Sequence, residues 1–523
     1  MTALDWIIVA AYMAGVVGMG FWVGRRQATH EDYFLAGRSM GAAVVAGSIL
    51  ATQASAISMI GAPAFVALAP GGGLRWLQYE LAVPLAMAAI GVVILPPLFR
   101  GGYVTLYEYI QERFGDGPRR ALALLFLLSR GLAAGVALYA AGVVLSTCLG
   151  LALVPTMLLM GAVTLLYTAV GGIRADIYSD ILQLFVLLGA TGAAVVWLVI
   201  HTGVWVPGPD LVDPARLRTL DFGAPLAGAA GRYGFWPMLL GGLFLYVSYY
   251  GCDQSQAQRL LSAPDPGTTR RALLLNGVLR FPFVLLYCWM GLLLAVFLGM
   301  RPDFAAAIPA DRPDFLVPTF VVHHLPAGLT GLVVAGLFAA AMSSLDSAYN
   351  SLSAVTQIDL LRRPRERITV ASSRLWTVLW GTACAAAAVA FSASKATAIE
   401  LVNMVGSVFY GPLLGVFLLG ILTRRVGAGG AVAGLAAGLA VNLALWRGAP
   451  ALSWLWWNLA GCVVTAAVGA LWRGRRDDRE RFGEGAAVAF PRDLRCFALV
   501  LVAAFAAMLV ALWVLQGLLM GEA

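Results

Sequence analysis

The sequence predicts an all-α membrane protein with about fourteen transmembrane helices, and three observations support this fold class. Of the 523 residues, 60% are hydrophobic and only 12% are charged, whereas soluble domains have about 25% charged residues. Apolar runs of about 20 residues, the length that a helix needs to cross a bilayer, recur along the whole chain. The runs are continuously apolar and do not alternate as barrel strands do, so helices are favoured over a β-barrel.

The apolar runs define fourteen predicted spans, numbered here in chain order. No loop between them is long enough for a separate soluble domain, so we expect one membrane domain over residues 1–523. The N-terminus MTALDWIIVA has no basic segment before its apolar run, and we expect the first span to be retained. The predicted spans are 4–23, 40–66, 77–98, 120–148, 155–171, 178–201, 235–256, 271–299, 328–357, 371–392, 397–422, 427–446, 452–472 and 495–518.

Most of the basic residues fall in alternate loops, which predicts the orientation. Cytoplasmic loops carry an excess of Lys and Arg, so this side is expected to be cytoplasmic and both termini to lie outside. We expect the chain to lie in a bacterial inner membrane. The clusters on the predicted inner side are Arg25-Arg26, Arg119-Arg120, Arg270-Arg271, Arg362-Arg363 and Arg424-Arg425.

Composition also argues against several classes of protein. The six cysteines contain no CxxC pair, and the four histidines form no metal-binding pattern, so neither disulfides nor a zinc site are indicated. No histidine lies within a span beside the serine clusters, which disfavours an intramembrane enzyme. The net charge of +8 comes from arginines in short loops and does not indicate nucleic-acid binding. We expect no cofactor and no obligate protein partner.

Spans 2 and 7 differ from the others because polar and small residues interrupt them. Span 2 contains GSILATQASAISMIGAP and span 7 contains GGLFLYVSYYGCDQSQAQR. Paired interrupted helices at corresponding positions of two halves indicate the binding site of a transporter. Two alternatives remain open: small residues also allow close helix packing, and a channel also has polar residues in mid-membrane.

Span 9 contains a third polar cluster, GLFAAAMSSLDSAYNSLS. Ala340, Ser343, Ser344 and Ser347 recur at helical spacing and share one face. Hydroxyls on that face, opposite the free carbonyls of a broken helix, would form a cage of oxygen atoms. By analogy with calcium and magnesium, sodium prefers oxygen ligands.

At these residues the chain resembles the sodium:solute symporter family, which includes sodium/glucose, sodium/proline, sodium/iodide and sodium/monocarboxylate transporters. The resemblance implies a LeuT-type fold of two inverted five-helix repeats, here at about 40–201 and 235–422. Flanking helices are then 4–23, 427–446, 452–472 and 495–518. It also implies sodium-coupled symport of a small solute by alternating access, with proton or mixed-ion coupling as an alternative. The matching segments are residues 36–55, 171–183, 253–263 and 336–351.

The resemblance also implies positions for the coupling ions. A sodium ion would be bound by the carbonyls of Ala51, Ala54 and Ala340 and by the hydroxyls of Ser343 and Ser344. A second cation site would involve Asp180, Asp346 and Ser347. The alternatives for the two carboxylates are a second sodium ion, a protonated carboxyl group, or an Asp346 that pairs with an arginine or faces an aqueous path.

The solute would bind between the two breaks. Ile57 and Ser58 stand where sugar transporters of the family have a Glu-Gln pair, and Tyr246 stands where they have an asparagine. A sugar is therefore disfavoured. The segment DQSQAQR resembles the iodide/monocarboxylate branch of the family, so the resemblance favours a monocarboxylate, another anion or another small organic solute. The implied solute-binding residues are Gln53, Ser55, Ser58, Tyr246, Tyr249, Tyr250 and Asp253.

Four further charged residues lie in or beside the apolar runs. Glu80 is expected to be solvated or structural, and Arg280 to extend its guanidinium towards the inner face. Arg130 lies deeper, and a structural ion pair is favoured over contact with the solute. Asp180 lies at the beginning of span 6, where the positive end of the helix dipole would stabilise a carboxylate.

Overall fold

The computed structural model describes residues 1–25, 27–54, 56–225, 231–309, 312–392, 398–472 and 492–521. These residues form helices and connecting segments with no β-strand, as the sequence predicts. Nine of the described helices are long and apolar enough to cross a membrane by themselves, and other spans consist of shorter or bent helices.

Each predicted span corresponds to a helix or to a pair of helices. The observed bounds are Ala3–Gly24 for span 1, Ala42–Gln53 with Ala56–Ala67 for span 2, Leu74–Arg100 for span 3, Asp116–Leu149 for span 4, Leu153–Thr202 for spans 5 and 6, Gly242–Cys252 with Gln254–Leu261 for span 7, Pro266–Met300 for span 8, Leu329–Val355 for span 9, Val370–Ser392 for span 10, Ala398–Leu422 for span 11, Ala428–Gly448 for span 12, Leu455–Leu471 for span 13 and Arg492–Met520 for span 14.

Spans 5 and 6 form one helical segment that bends sharply at a glycine. At 1.5 Å per residue the segment Leu153–Thr202 would be about 75 Å long if straight, far more than the roughly 30 Å of a bilayer core. Gly172 has φ 55° and ψ −163°, and a Cβ atom at this position would lie 2.7 Å from the Tyr33 carbonyl oxygen. The bend therefore requires glycine and lets the chain cross the membrane twice.

Span 2 is interrupted at Ala54, where ψ is 62° and the helix ends. Span 7 is interrupted at Asp253, which has extended backbone angles (φ −81°, ψ 124°). The Asp253 carboxylate accepts hydrogen bonds from the backbone N–H of Ser255 (2.8 Å) and from its hydroxyl (2.6 Å), and so begins the second half of the span. The two interruptions expose backbone groups inside the protein, where other helices supply their partners.

The two broken spans lie in the interior of the helical assembly. The two halves of span 2 pack against span 8, and span 9 packs along spans 5 and 6. Span 1 lies against spans 5, 6 and 9, span 14 against spans 3 and 8, and spans 12 and 13 against span 11. The loops alternate between two faces. We call the face with the loops around residues 101–115, 262–265 and 361–369 the arginine-rich face, and the opposite one the arginine-poor face.

Candidate functional site

Oxygen atoms from spans 2 and 9 meet where span 2 is broken. In a continuous helix, the carbonyls of Ala51 and Thr52 would accept hydrogen bonds from amides four residues later. Here the Ser343 hydroxyl donates to the carbonyls of Ala51 (3.0 Å) and Ala340 (3.3 Å), and the Ser344 hydroxyl donates to the Thr52 carbonyl (2.9 Å). The oxygen atoms that the described residues bring to this point are all neutral, and such a set suits a small, hard, monovalent cation.

The implied sodium ligands are therefore largely adjacent in the structure. Ala51, Ala340 and Ser343 are in direct contact, and each is almost fully buried. Ser344 contacts Thr52, which sequence reasoning did not include among the ligands. Ala54 is the buried residue at which the first half of span 2 ends.

A buried acidic cluster lies next to these oxygen atoms, towards the arginine-rich face. Asp180 and Asp346 both face Arg259 of span 7, whose Nη2 atom is 2.9 Å from Asp180 Oδ2 and 3.8 Å from Asp346 Oδ1. The Asp176 carboxylate also interacts electrostatically with Arg259 and Asp180. The side chains of Arg259 and of the three aspartates are fully buried. One alternative for Asp346 was that it pairs with an arginine, and in this structure it lies beside Arg259.

Neighbouring hydroxyls complete the acidic cluster. Ser48 donates to Asp180 (2.5 Å) and Tyr167 donates to Asp346 (2.7 Å). The Ser347 hydroxyl instead donates to the carbonyls of Ser343 and Ser344 on its own helix. Arg259 was missed as a functional residue, although its position as the one basic residue of DQSQAQRLLSA was a signal.

A cavity of about 580 Å³ extends from the break in span 2 to the arginine-poor face. Thr52, Gln53 and Ser344 lie at its deep end. This volume is within the roughly 300–1,000 Å³ range of small-molecule sites. The residues at its mouth belong to segments of the arginine-poor face: Trp76, Tyr233, Asp314 and Trp454.

Towards the arginine-rich face the cavity is closed by hydrogen bonds between helices. The Gln256 amide donates to the Tyr249 hydroxyl (2.8 Å), and the Leu106 N–H donates to Gln254 (2.8 Å). Nearer that face, Arg119 pairs with Asp359 at 2.7 Å. The site is therefore accessible from one side of the membrane only in this conformation.

The structure places the implied solute-binding residues in three groups. Gln53, Ser58, Tyr246 and Tyr249 line the cavity. Tyr250 is fully buried behind the lining, and Asp253 lies beyond the cavity at the break in span 7. Ser55 lies outside the described residues.

Glu80 and Arg280 form an ion pair in the cavity wall. Arg280 Nε is 2.6 Å from Glu80 Oε2, and the Tyr246 hydroxyl donates to Glu80 Oε1 at 3.3 Å. The expectation that Arg280 reaches towards the inner face is wrong, because Glu80 supplies a counter-charge within the membrane. Glu80 is 1% exposed, so it is structural and not solvated.

Arg130 lines both this cavity and a pocket of about 20 Å³ beneath it, which Asp253 and Tyr410 also line. Among the described residues no carboxylate lies within the 4.0 Å salt-bridge distance of Arg130. The expected structural ion pair is therefore not present there. Sequence reasoning weighed solute contact for this residue but favoured the ion pair.

Comparison with known proteins gives consistent results. The family model described as "Sodium:solute symporter family" matches residues 33–438. The human sodium/iodide cotransporter is 31% identical over 460 residues, which cover 84% of this chain and 69% of the relative. Human sodium-coupled monocarboxylate transporter 1 is 30% identical over 461 residues, with 84% and 72% covered. A putative sodium-dependent multivitamin transporter of Drosophila melanogaster is 29% identical over 497 residues, with 88% and 78% covered.

Solved structures show the same fold at lower identity. An outward-open, substrate-bound Na⁺-coupled sialic acid symporter aligns with a TM-score of 0.77 at 22% identity, covering 90% of this chain and 97% of that one. A closed nucleobase-cation-symport-1 family transporter aligns with a TM-score of 0.55 at 14% identity, covering 90% and 98%. The predicted LeuT-type fold is thereby confirmed.

Proposed function

Because this chain belongs to the sodium:solute symporter family and is thus a sodium-coupled, multi-pass membrane transporter, we propose that it imports a small organic anion together with sodium. The observation that carries this proposal is a cluster of neutral oxygen atoms at the deep end of a one-sided cavity. Relatives described as transporters of iodide or monocarboxylates support an anionic solute over a sugar.

We propose that sodium binds among the carbonyls of Ala51, Ala54 and Ala340 and the hydroxyls of Ser343 and Ser344. Such an ion would replace the hydrogen bonds that now join span 9 to the broken end of span 2. It would also shield the carbonyl dipoles at the end of that helix, next to the solute cavity. Binding of the ion and of the solute would then favour the same arrangement of span 2, which is the physical basis of coupling.

The acidic cluster is the proposed site of a second coupling ion, with Asp180, Asp346 and Ser347 as its nearest groups. Three buried carboxylates surround one guanidinium, and this arrangement is net negative if all four groups are ionised. A second sodium ion or a proton would relieve that imbalance. Proton or mixed-ion coupling is therefore the alternative form of the same function.

We also propose that the arginine-rich face is cytoplasmic, in a bacterial inner membrane, with both termini outside. The positive-inside rule supports this orientation. The described conformation is then outward-facing, because the cavity reaches the arginine-poor face.

Counterflow in proteoliposomes tests the proposed function. Vesicles loaded with unlabelled pyruvate, lactate or nicotinate would be diluted into the labelled compound, with sodium on both sides. We expect transient accumulation of label that disappears when potassium replaces sodium. A channel would show no accumulation without a net gradient, and either that result or sodium-independent counterflow would contradict the proposal.

A further inference from the structure

Two arginines line the solute cavity, and they differ in their partners. Arg280 has a close carboxylate partner in Glu80 and a hydroxyl partner in Tyr246. Arg130 has no carboxylate within salt-bridge distance among the described residues, and its buried Nε atom has no hydrogen-bond partner there. A guanidinium stays protonated in proteins, so Arg130 carries a positive charge inside the membrane, with no counter-charge in salt-bridge contact among the described side chains.

The acid that acts most strongly on Arg130 is Asp253, but the two side chains form no salt bridge. Asp253 lines the same small pocket, but its Oδ1 atom already accepts two hydrogen bonds from Ser255. The pocket volume of about 20 Å³ is enough for about one water molecule. Two neutral groups, Tyr249 and Tyr410, also lie near Arg130, and the Tyr410 hydroxyl is a hydrogen-bonding neighbour of its side chain.

We propose that Arg130 is the residue that selects anionic solutes, by binding a carboxylate group of the solute. This inference rests on the proposed function and assigns its charge recognition to one side chain. The planar guanidinium presents paired N–H donors that match the two oxygen atoms of a carboxylate. The remainder of the solute lies in the cavity against Gln53, Ser58 and Tyr249.

A carboxylate fits this site better than a monatomic anion for two reasons. The cavity of about 580 Å³ has room for an organic solute, which a single halide ion would leave mostly empty. The fork geometry of arginine gives directional recognition to a planar group with two acceptors but not to a sphere. The Glu80–Arg280 pair is neutral as a unit, so of the two described arginines in the cavity wall Arg130 is the one without a salt bridge.

Matched pairs of probes test the role of Arg130 on purified protein. Thermal stabilisation in sodium would be measured with nicotinate against nicotinamide, with L-lactate against L-lactamide, and with iodide. We expect carboxylates to stabilise the wild-type protein and their amides not to do so. Arg130→Gln should weaken carboxylate binding by about 10- to 150-fold, the cost of losing a hydrogen bond between charged groups.

Two further comparisons make the result decisive. Stabilisation by sodium alone should be the same in Arg130→Gln as in the wild type, which shows that the variant is folded. Arg130→Lys should retain part of the carboxylate affinity, because it keeps the charge without the fork. The inference would be overturned if amides and carboxylates bound equally well, or if iodide stabilised the protein and the carboxylates did not. Unchanged carboxylate affinity in Arg130→Gln would also overturn it. Carboxylate binding that needs Arg130 but not sodium would instead contradict the proposed sodium coupling.

Discussion

Arg259 gives the acidic cluster a positive charge that belongs to the protein itself. The other nitrogen atoms of its guanidinium also have partners. Nε donates a hydrogen bond to the Ser48 hydroxyl (2.7 Å), and Nη1 donates one to the Ser255 carbonyl (2.8 Å). Arg259 thereby joins both broken spans to Asp180 of span 6. Removing one partner of such a buried pair typically costs about 3–5 kcal/mol, so the cluster holds the second half of span 7 against its neighbours.

Substitution of Asp346 tests whether a second ion binds in the acidic cluster. We choose Asp346 because Arg259 pairs more closely with Asp180 (2.9 Å) than with Asp346 (3.8 Å). We expect Asp346→Asn to lower the Hill coefficient of sodium binding towards one or, where a proton is the second ion, to remove the pH dependence of sodium binding. A proton bound by the cluster would weaken its attraction for sodium, so we expect sodium binding to the wild type to weaken as the pH falls. Binding of ²²Na⁺ to purified protein between pH 5.5 and 8.5 measures both effects.

Ser351→Ala is the matched control for Asp346→Asn, since the Ser351 hydroxyl bonds to backbone of its own helix and belongs to neither proposed ion site. If Asp346→Asn keeps both the wild-type cooperativity and the wild-type pH profile, Asp346 has a structural role only.

At the scale of elements, the break in span 7 depends on a side chain that begins a new helix. This side chain is the Asp253 carboxylate, which caps the second half of the span. That half is a polar helix, Gln254–Leu261, in which every residue is buried. Its polar groups find partners on other elements, such as the Val104 carbonyl and Asn350. The break therefore positions a hydrogen-bonding surface below the solute cavity.

The capping role of Asp253 can be separated from its charge. Asn is as good an N-cap as Asp, whereas Ala lacks a side-chain acceptor and typically costs about 0.5–2 kcal/mol. We expect Asp253→Ala to lower the thermal stability of the purified protein and Asp253→Asn to leave it close to the wild type. Equal losses in both variants would show that the charge, and not the cap, stabilises the break.

The sequence indicated where the helices break but not which distant residues pair. The polar runs around Thr52 and Tyr249 predicted two interruptions, because small and polar residues make poor lipid-facing helix. The spacing of the serines in span 9 predicted the oxygen cluster, because residues three and four apart share one face of a helix. The pairing of Glu80 with Arg280 depends on the packing of spans 3 and 8, which periodicity within one helix does not specify.

At the scale of the whole molecule, a cavity open to one face and closed to the other is one state of an alternating-access cycle. Each sodium ion moved inward gains about 2.3 kcal/mol per 100 mV of membrane potential. With a monovalent anion as solute, one sodium ion makes transport electrically neutral. A second ion in the acidic cluster is then needed for the membrane potential to drive uptake.

The orientation can be tested with single cysteines in a cysteine-free background. Ala215 and Arg363 are both exposed, in loops on the arginine-poor and arginine-rich faces respectively. We expect a membrane-impermeant maleimide to label Ala215→Cys in intact cells and Arg363→Cys only after lysis. Labelling in the opposite pattern would reverse the proposed direction of transport.

Direct binding of ²²Na⁺ to the purified protein tests the central claim, a sodium site between the break in span 2 and span 9. We expect saturable binding that unlabelled sodium displaces and potassium does not. Ser343→Ala should weaken this binding by about 5- to 150-fold, by analogy with an unsatisfied buried polar group of about 1–3 kcal/mol. Ser351→Ala, which removes a buried hydroxyl of the same helix that bonds only to its own backbone, should bind sodium as the wild type does. Absence of saturable binding in the wild type, or equal affinity in Ser343→Ala, would contradict the account.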